Sequence, residues 1–385
     1  MRMHRVVCLL FRVLLSLAAT APGFVAHADD APPPVSDFFS AEAMSPPVLS
    51  PFGKFLAVRM ANAQGRRQLA VITLEPARQA KVVAKFVDAD VADVHWVNDD
   101  RLAFNINDLQ SAFADGFSPG LFAVDRIGEN LRPLVQRGWR FVVEARTFVS
   151  RELPFNHRFL RVLRDGSADV LIERMNFDHG YRELVSTTPL RLNTLTGRAS
   201  GVDIGLAESV QNWLFDDVGI AHAAVSLAKG QQTVHWRAKP EQSWSVISSG
   251  PAFSPKPGNF WPWSWGADGE LYVVAPLSNQ ERTNALLLFH SGTGHVASQP
   301  VVSLQGFDFS GELIFSRNTK ALLGARYTSD ATDTAWFDPA MRALQAKIDQ
   351  RLPGVINLLA VAECGCSHWL LVTSYSHRQS PLFSL

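Results

Sequence analysis

The sequence predicts an all-β fold, a seven-bladed β-propeller of four-stranded antiparallel blades. Three observations predict it. Short runs rich in β-branched and aromatic residues alternate with Gly, Pro, Asn and Asp turn signals along most of the 385 residues. The runs recur in units that start about every 45 to 50 residues, the length of one blade. Helix-like stretches are few and short.

Residues 1–28 read as a secretory signal. Arg2, His4 and Arg5 form a basic n-region, Val6 to Ala19 an apolar stretch, and Ala26-His27-Ala28 a small-x-small cleavage pattern. Cleavage is expected after Ala28, giving a periplasmic or secreted protein. Arg12 interrupts the apolar stretch, and no later stretch approaches the roughly 18 uninterrupted apolar residues of a membrane helix. No stable membrane span is therefore expected after cleavage. Residues 29–47 read as a linker plus a short helix, Val35 to Met44, stopped by Pro46-Pro47.

Residues 48–385 carry the seven units. The first runs Leu49 to Met60, turns at Ala63 to Arg66, and returns through Gln68 to Leu74. The second is Asp93 to Phe104, Gly120 to Asp125 and a strand near Leu131 to Val135, with Asn98-Asp99-Asp100 as its turn. Gly138 to Phe159 interrupts the rhythm. The third runs from Ala168–Ile172 to Pro189–Asn193, and the fourth holds Asn212–Val225, Thr233–Trp236 and Ser243–Ile247.

The fifth unit is the clearest: Trp261 to Trp265, a turn at Asp268-Gly269, Leu271 to Ala275, Ala285 to Phe289 and a strand near Val296 to Val302. Asp-Gly between β-favouring runs is a strong hairpin signal, because Gly tolerates the positive φ that such turns demand. The sixth is Gly306–Phe315, Leu322–Tyr327 and Ala335–Asp338, followed by a short helix from Pro339 to Gln350. The seventh, Ile356–Ala362 and His368–Tyr375, reaches Pro381–Leu385 part-way through the expected blade.

Composition narrows the function classes. Acidic and basic residues number 36 each, and there is no basic stripe, which argues against a nucleic-acid partner. With 25 Phe and ten Trp against four Tyr, the aromatics suit dry packing. Removing the signal removes Cys8 and leaves Cys364 and Cys366, too few for a disulfide framework.

Three stretches resemble a known family. Phe38 to Met44 followed by Leu49-Ser50-Pro51-Phe52-Gly53-Lys54 resembles the opening of the N-terminal propeller of the prolyl oligopeptidase family, in its bacterial acylaminoacyl-peptidase-like branch. Phe52 stands where that pattern has Asp. Trp336 to Gly354 is similar to the helix and loop before the last blade, and Thr373 to Leu385 to the strand pair before the catalytic domain. The resemblance implies a propeller that filters or orients peptide substrates beside an α/β-hydrolase with a Ser-Asp-His triad. The stretch that resembles the family, residues 38 to 385, contains no position matching those catalytic residues, so none is carried over.

Candidate chemistry in the chain reads as structural. Gly116-Phe117-Ser118-Pro119-Gly120 matches a nucleophile elbow literally, but Pro119 lacks the N–H an oxyanion hole needs and a strand follows; Ser118 is a loop serine. Cys364, Cys366 and His368 share one face if extended, without a fourth metal ligand nearby. Asp99, Asp100, Asp216, Asp217 and Asp268 are possible paired acids for glycoside hydrolysis, yet all sit where hairpins favour Asp. Trp261, Trp263 and Trp265 alternate on one strand face and read as inter-blade packing rather than a stacking platform. His157, His179, His222, His235, His290 and His295 lack metal-site spacing.

The expectation is a propeller that is not an enzyme on its own, with no catalytic, cofactor or metal site, whose partner is a peptide or protein ligand or a separately encoded α/β-hydrolase. The alternatives are a truncated serine peptidase missing its catalytic domain, and a propeller lyase or glycosidase with a channel site.

Overall fold

The computed structural model describes residues 44–385, apart from 77, 110–118, 138–151, 181–182, 203, 207–208, 253–258, 278–282, 364 and 366. Contacts divide the chain after Ala41, and the unit from Glu42 to Leu385 holds every described residue. The expected signal, and all of the expected short helix except Met44, lie outside the described residues.

Seven antiparallel sheets follow one another along the chain. Blade 1 is β1 (Val48–Leu49), β2 (Phe55–Ala61), β3 (Arg67–Thr73) and β4 (Gln79–Ala84). Blade 2 is β5 (Asp90–Asn98), β6 (Arg101–Asn107), β7 (Pro119–Asp125) and β8 (Arg132–Arg137). Blade 3 is β9 (His157–Val162), β10 (Asp169–Phe177), β11 (Leu184–Asn193) and β12 (Ala199–Gly201). Blade 4 is β13 (Val210–Phe215), β14 (Ala221–Ala228), β15 (Gln231–Trp236) and β16 (Ser245–Pro251).

Blade 5 is β17 (Trp261–Trp265), β18 (Leu271–Pro276), β19 (Asn284–His290) and β20 (His295–Val296). Blade 6 is β21 (Gly311–Phe315), β22 (Leu322–Thr328) and β23 (Thr332–Trp336). Blade 7 is β24 (Ile356–Val361), β25 (Leu370–Ser376) and β26 (Gln379–Ser384). Each strand pairs with its neighbours in sequence order, so no described strand is exchanged between blades.

The ring is visible in the core. Seven apolar clusters form, and each joins two blades adjacent in the chain, with the seventh joining blade 7 to blade 1. Burial of both sheet faces explains why most central strands read as continuous apolar runs rather than strict alternation. In β6, for example, Arg101 to Ile106 are all buried. This is the expected seven-bladed propeller, closed by packing.

The structure departs from the expectation at three places. Among the described residues blade 6 has three strands, not four, and blade 7, expected to stop part-way, also has three. The expected helix, α1 (Pro339–Arg351), stands in the chain where a fourth strand of blade 6 would run, capped by Asp338, which accepts from the Met341 N–H at 2.8 Å. Met341, Leu344 and Ile348 of α1 pack against Trp336, Leu359 and Val372, closing the seam between blades 6 and 7. The fourth strand of blade 5 is only β20 and a single bridge from Val302 to Leu286, because Ser298 to Pro300 leave the ladder. Met44 bridges Met60 and the Ser45 N–H donates to the Arg59 carbonyl, so the last residues of the expected linker lie along β2.

Candidate functional site

All blades share one strand order, so every turn between a first and second strand falls on the same face of the ring. First strands of adjacent blades touch (β1 with β5, β5 with β9, β13 with β17), which places them around the axis. The seven first turns therefore form one mouth of the axial channel. They hold Phe52, Asp99, Asp100, Arg164, Asp216, Asp217, Asp268, Arg317 and Glu363.

Three of these residues meet across the axis. Arg164 of blade 3 donates from Nη1 to the carbonyls of Trp96 and Val97 in blade 2, at 3.0 and 3.4 Å. Its Nη2 donates to Oε1 of Glu363 in blade 7. Arg317 of blade 6 donates to Glu363 Oε2 and to the Arg164 carbonyl, both at 3.3 Å. Blade 3 is not a ring neighbour of blades 6 or 7, so this clasp spans the mouth. Burial lowers the Arg164 pKa, Glu363 raises it, and the like charge of Arg317 lowers it again. Glu363 and Arg317 keep 39% and 31% of their side-chain surface exposed, so the clasp is wet and open to exchange.

Beside it, Arg161 donates to Asp217 at 2.8 Å and to the Phe215 carbonyl. Arg161, Asn212, Leu214, Trp261, Ser264 and Trp265 line a pocket of about 460 Å³ among the first strands of blades 3 to 5.

Every acid singled out in the sequence is engaged. The Phe52 N–H donates to Asp99 at 3.0 Å, tying blade 1 to blade 2. Asp100 accepts from Arg126 at 2.8 Å. Asp216 accepts from the Val218 and Ile220 N–H groups and lies 3.3 Å from His222. Burial pushes the Asp216 pKa up, but His222 and the two backbone donors outweigh it and hold the carboxyl below the usual range. Asp268 accepts from the Tyr272 hydroxyl at 2.7 Å and from the Glu270 N–H. Burial, then that carboxylate, push the Tyr272 pKa far above its ordinary value. These carboxylates hold turns and blade contacts, as Asp does at hairpins.

The tryptophans are not on one face. A bulge between Pro262 and Ser264 breaks the alternation. Trp263 packs on Phe309 and donates to the Gly311 carbonyl of blade 6 at 3.1 Å. Trp265 turns the other way and stacks on His222 of blade 4, with ring centroids 3.9 Å apart.

The histidines scatter. His157 is buried against the Pro154 carbonyl, His235 lies 2.8 Å from Ser226 Oγ, and His179, His290 and His295 are exposed. Among the described residues no three His, Cys, Asp or Glu side chains converge as a metal site. Ser118, Cys364 and Cys366 lie outside the described residues. His368, grouped with those cysteines by the sequence, contacts Glu75 of blade 1 at 2.7 Å.

No protein-family model matches the sequence, and no curated protein does. Several solved structures are similar to it. A puromycin-hydrolyzing peptidase of Mycobacterium tuberculosis is 12% identical, covering 77% of this chain and 45% of its own, with a TM-score of 0.42. Prolyl oligopeptidase B of Galerina marginata is 10% identical, covering 90% and 49%, with a TM-score of 0.49. An acylaminoacyl peptidase of Pyrococcus horikoshii is 13% identical, covering 87% and 50%, with a TM-score of 0.36. The chain spans about half the length of each.

Proposed function

We propose that this chain is an exported, non-catalytic propeller related to the substrate-gating domain of prolyl-oligopeptidase-type serine peptidases. Its partner is a peptide or protein, or a separately encoded α/β-hydrolase, received at the mouth. The carrying observation is the clasp of Arg164, Glu363 and Arg317. It presents charges of both signs across the axis, those of Glu363 and Arg317 partly exposed, while the neighbouring carboxylates are occupied in turns. Such groups exchange partners at little cost, which suits the polar backbone and charged side chains of an extended peptide.

The test uses the full chain expressed with its leader. N-terminal sequencing of the exported product is expected to begin at Asp29. A serine-directed activity probe and chromogenic aminoacyl and acyl-peptide substrates are expected to give no labelling and no turnover from monodisperse protein. Peptide-library capture is expected to weaken several-fold in Glu363→Gln. A labelled serine with turnover, or capture unaffected by Glu363→Gln, overturns the reading.

A further inference from the structure

The seam between blades 7 and 1 contains a cleft of about 900 Å³ on the mouth side, within the range of small-molecule sites. Its apolar walls are Phe52, Phe55 and Pro76 from blade 1 and Trp369 from blade 7. Phe52 is 53% exposed at the turn and belongs to none of the core clusters.

The charges around these walls are unevenly matched. Glu75, the acid in the lining, is held by His368 at 2.7 Å. Lys54 lines the cleft, is exposed, and has no carboxylate partner among the described residues. The Arg126 Cζ lies over Phe55, 4.5 Å from its centroid, and its Nε donates to Asp100. Arg78, just outside the lining, sits 5.5 Å over the Trp369 ring. Asp99 and Asp100 stand outside the lining, engaged by the Phe52 N–H and by Arg126. Aromatic-backed guanidinium groups lose little entropy when they take an anion, and planar carboxylates match their fork.

We propose that this cleft binds an aromatic carboxylate, free or as the C-terminal residue of a peptide. The ring lies between Phe52 and Trp369, and the carboxylate meets Lys54 and Arg126. Such a ligand touches both ends of the ring, so it binds the closed form and stabilises it by mass action. The inference does not depend on the function proposed for the mouth, because none of the clasp residues lines this cleft.

The probes are N-acetyl-L-phenylalanine, its primary amide, the tetrapeptide Gly-Gly-Ala-Phe and its C-terminal amide, titrated calorimetrically and in thermal melts of the full chain. Both free acids are expected to bind and raise Tm, and both amides to bind at least about tenfold more weakly. Lys54→Ala and Phe52→Ala, each at an exposed turn side chain, are expected to keep the fold by circular dichroism. Each is expected to lower affinity for the acid by about tenfold. Tighter binding of the tetrapeptide than of the acetylated amino acid assigns the ligand as a peptide terminus; equal binding assigns a free acid. Equal affinity for acid and amide, unchanged affinity in both variants, or no heat and no Tm shift at about 10 mM probe overturns the proposal.

Discussion

The seam between blades 1 and 2 and the seam between blades 7 and 1 join blades of one strand order, yet they are built differently. The first buries twelve core residues, Phe104, Leu102 and Leu69 among them. It also buries Asp90, which accepts from Arg66 and the Arg67 N–H at 2.8 Å and from the Leu109 N–H at 3.1 Å. The second buries three: Leu56, Leu74 and Leu371. Around them stand the contact of His368 with Glu75, both more than half exposed, and the Ser367 hydroxyl donating to the Gly53 carbonyl. A closed ring does not need equal seams. Where the chain's last blade meets its first, few apolar side chains and an open cleft suffice, so apolar burial is shared unequally around the ring.

The sharpest test of that contrast is a pair of truncations. Phe104→Ala is expected to cost about 3–5 kcal/mol in urea unfolding, because a fully buried ring leaves a cavity in dense surroundings. Leu371→Ala should cost about 2–3 kcal/mol, since a thinly packed seam relaxes around the gap. Equal losses break the comparison. Gly53→Ala comes next, at about 1–3 kcal/mol. Its φ is +69°, and a Cβ there would lie 2.4 Å from Ser367 Oγ. Combined with Ser367→Gly, part of that loss should return in the same unfolding assay; no recovery places the strain in the positive φ and the Ala362 Cβ, 2.8 Å from the added carbon.

A pH series sharpens the picture on the early side of the ring. His95 lies in the blade 2–3 seam, stacked on Phe159 with centroids 4.2 Å apart. Burial holds its pKa below 6.5, against an upward pull from Asp93 and with a downward one from Arg164. The unfolded chain then binds the proton more tightly than the native one. Stability contributed by neutral His95 is full above about pH 6.5 and is lost as pH falls toward the native pKa. Tm should drop between pH 7.5 and 5.5, and His95→Asn should flatten the drop; an unchanged slope assigns it to His157 and His235, whose pKa values burial also lowers. Smallest of all, His368→Gln should change stability by less than about 0.5 kcal/mol, as exposed pairs do.

The ring itself was legible because its signals are local. Ser50-Pro51-Phe52-Gly53, Asn98-Asp99-Asp100 and Asp268-Gly269 mark hairpins by backbone requirement alone, and the first-to-second-strand turns fall there. The bulge at Trp263 was not legible, since the Phe309 and Gly311 surface that this ring meets belongs to the next blade. The clasp was invisible for a stronger reason: Arg164 and Glu363 are 199 positions apart and carry no pattern linking them. Likewise His368 looked like a companion of Cys364 and Cys366, and only the closing of the ring supplies Glu75, 293 positions away. The sequence marks the turns; side chains meeting across the circle are chosen by the fold.

One feature reaches into time. Because each described blade is built from its own contiguous stretch of chain, blade 1 can form before blade 7 is available to it, and each later blade can settle on the one before it. Most seams thus need only contacts between stretches made shortly after one another. The exception is the meeting of Ser367 with Gly53, a separation of 314 residues, which must wait for nearly the whole chain. Until that moment the early blades carry an unfinished face, with Leu56 and Leu74 open to whatever the surroundings offer.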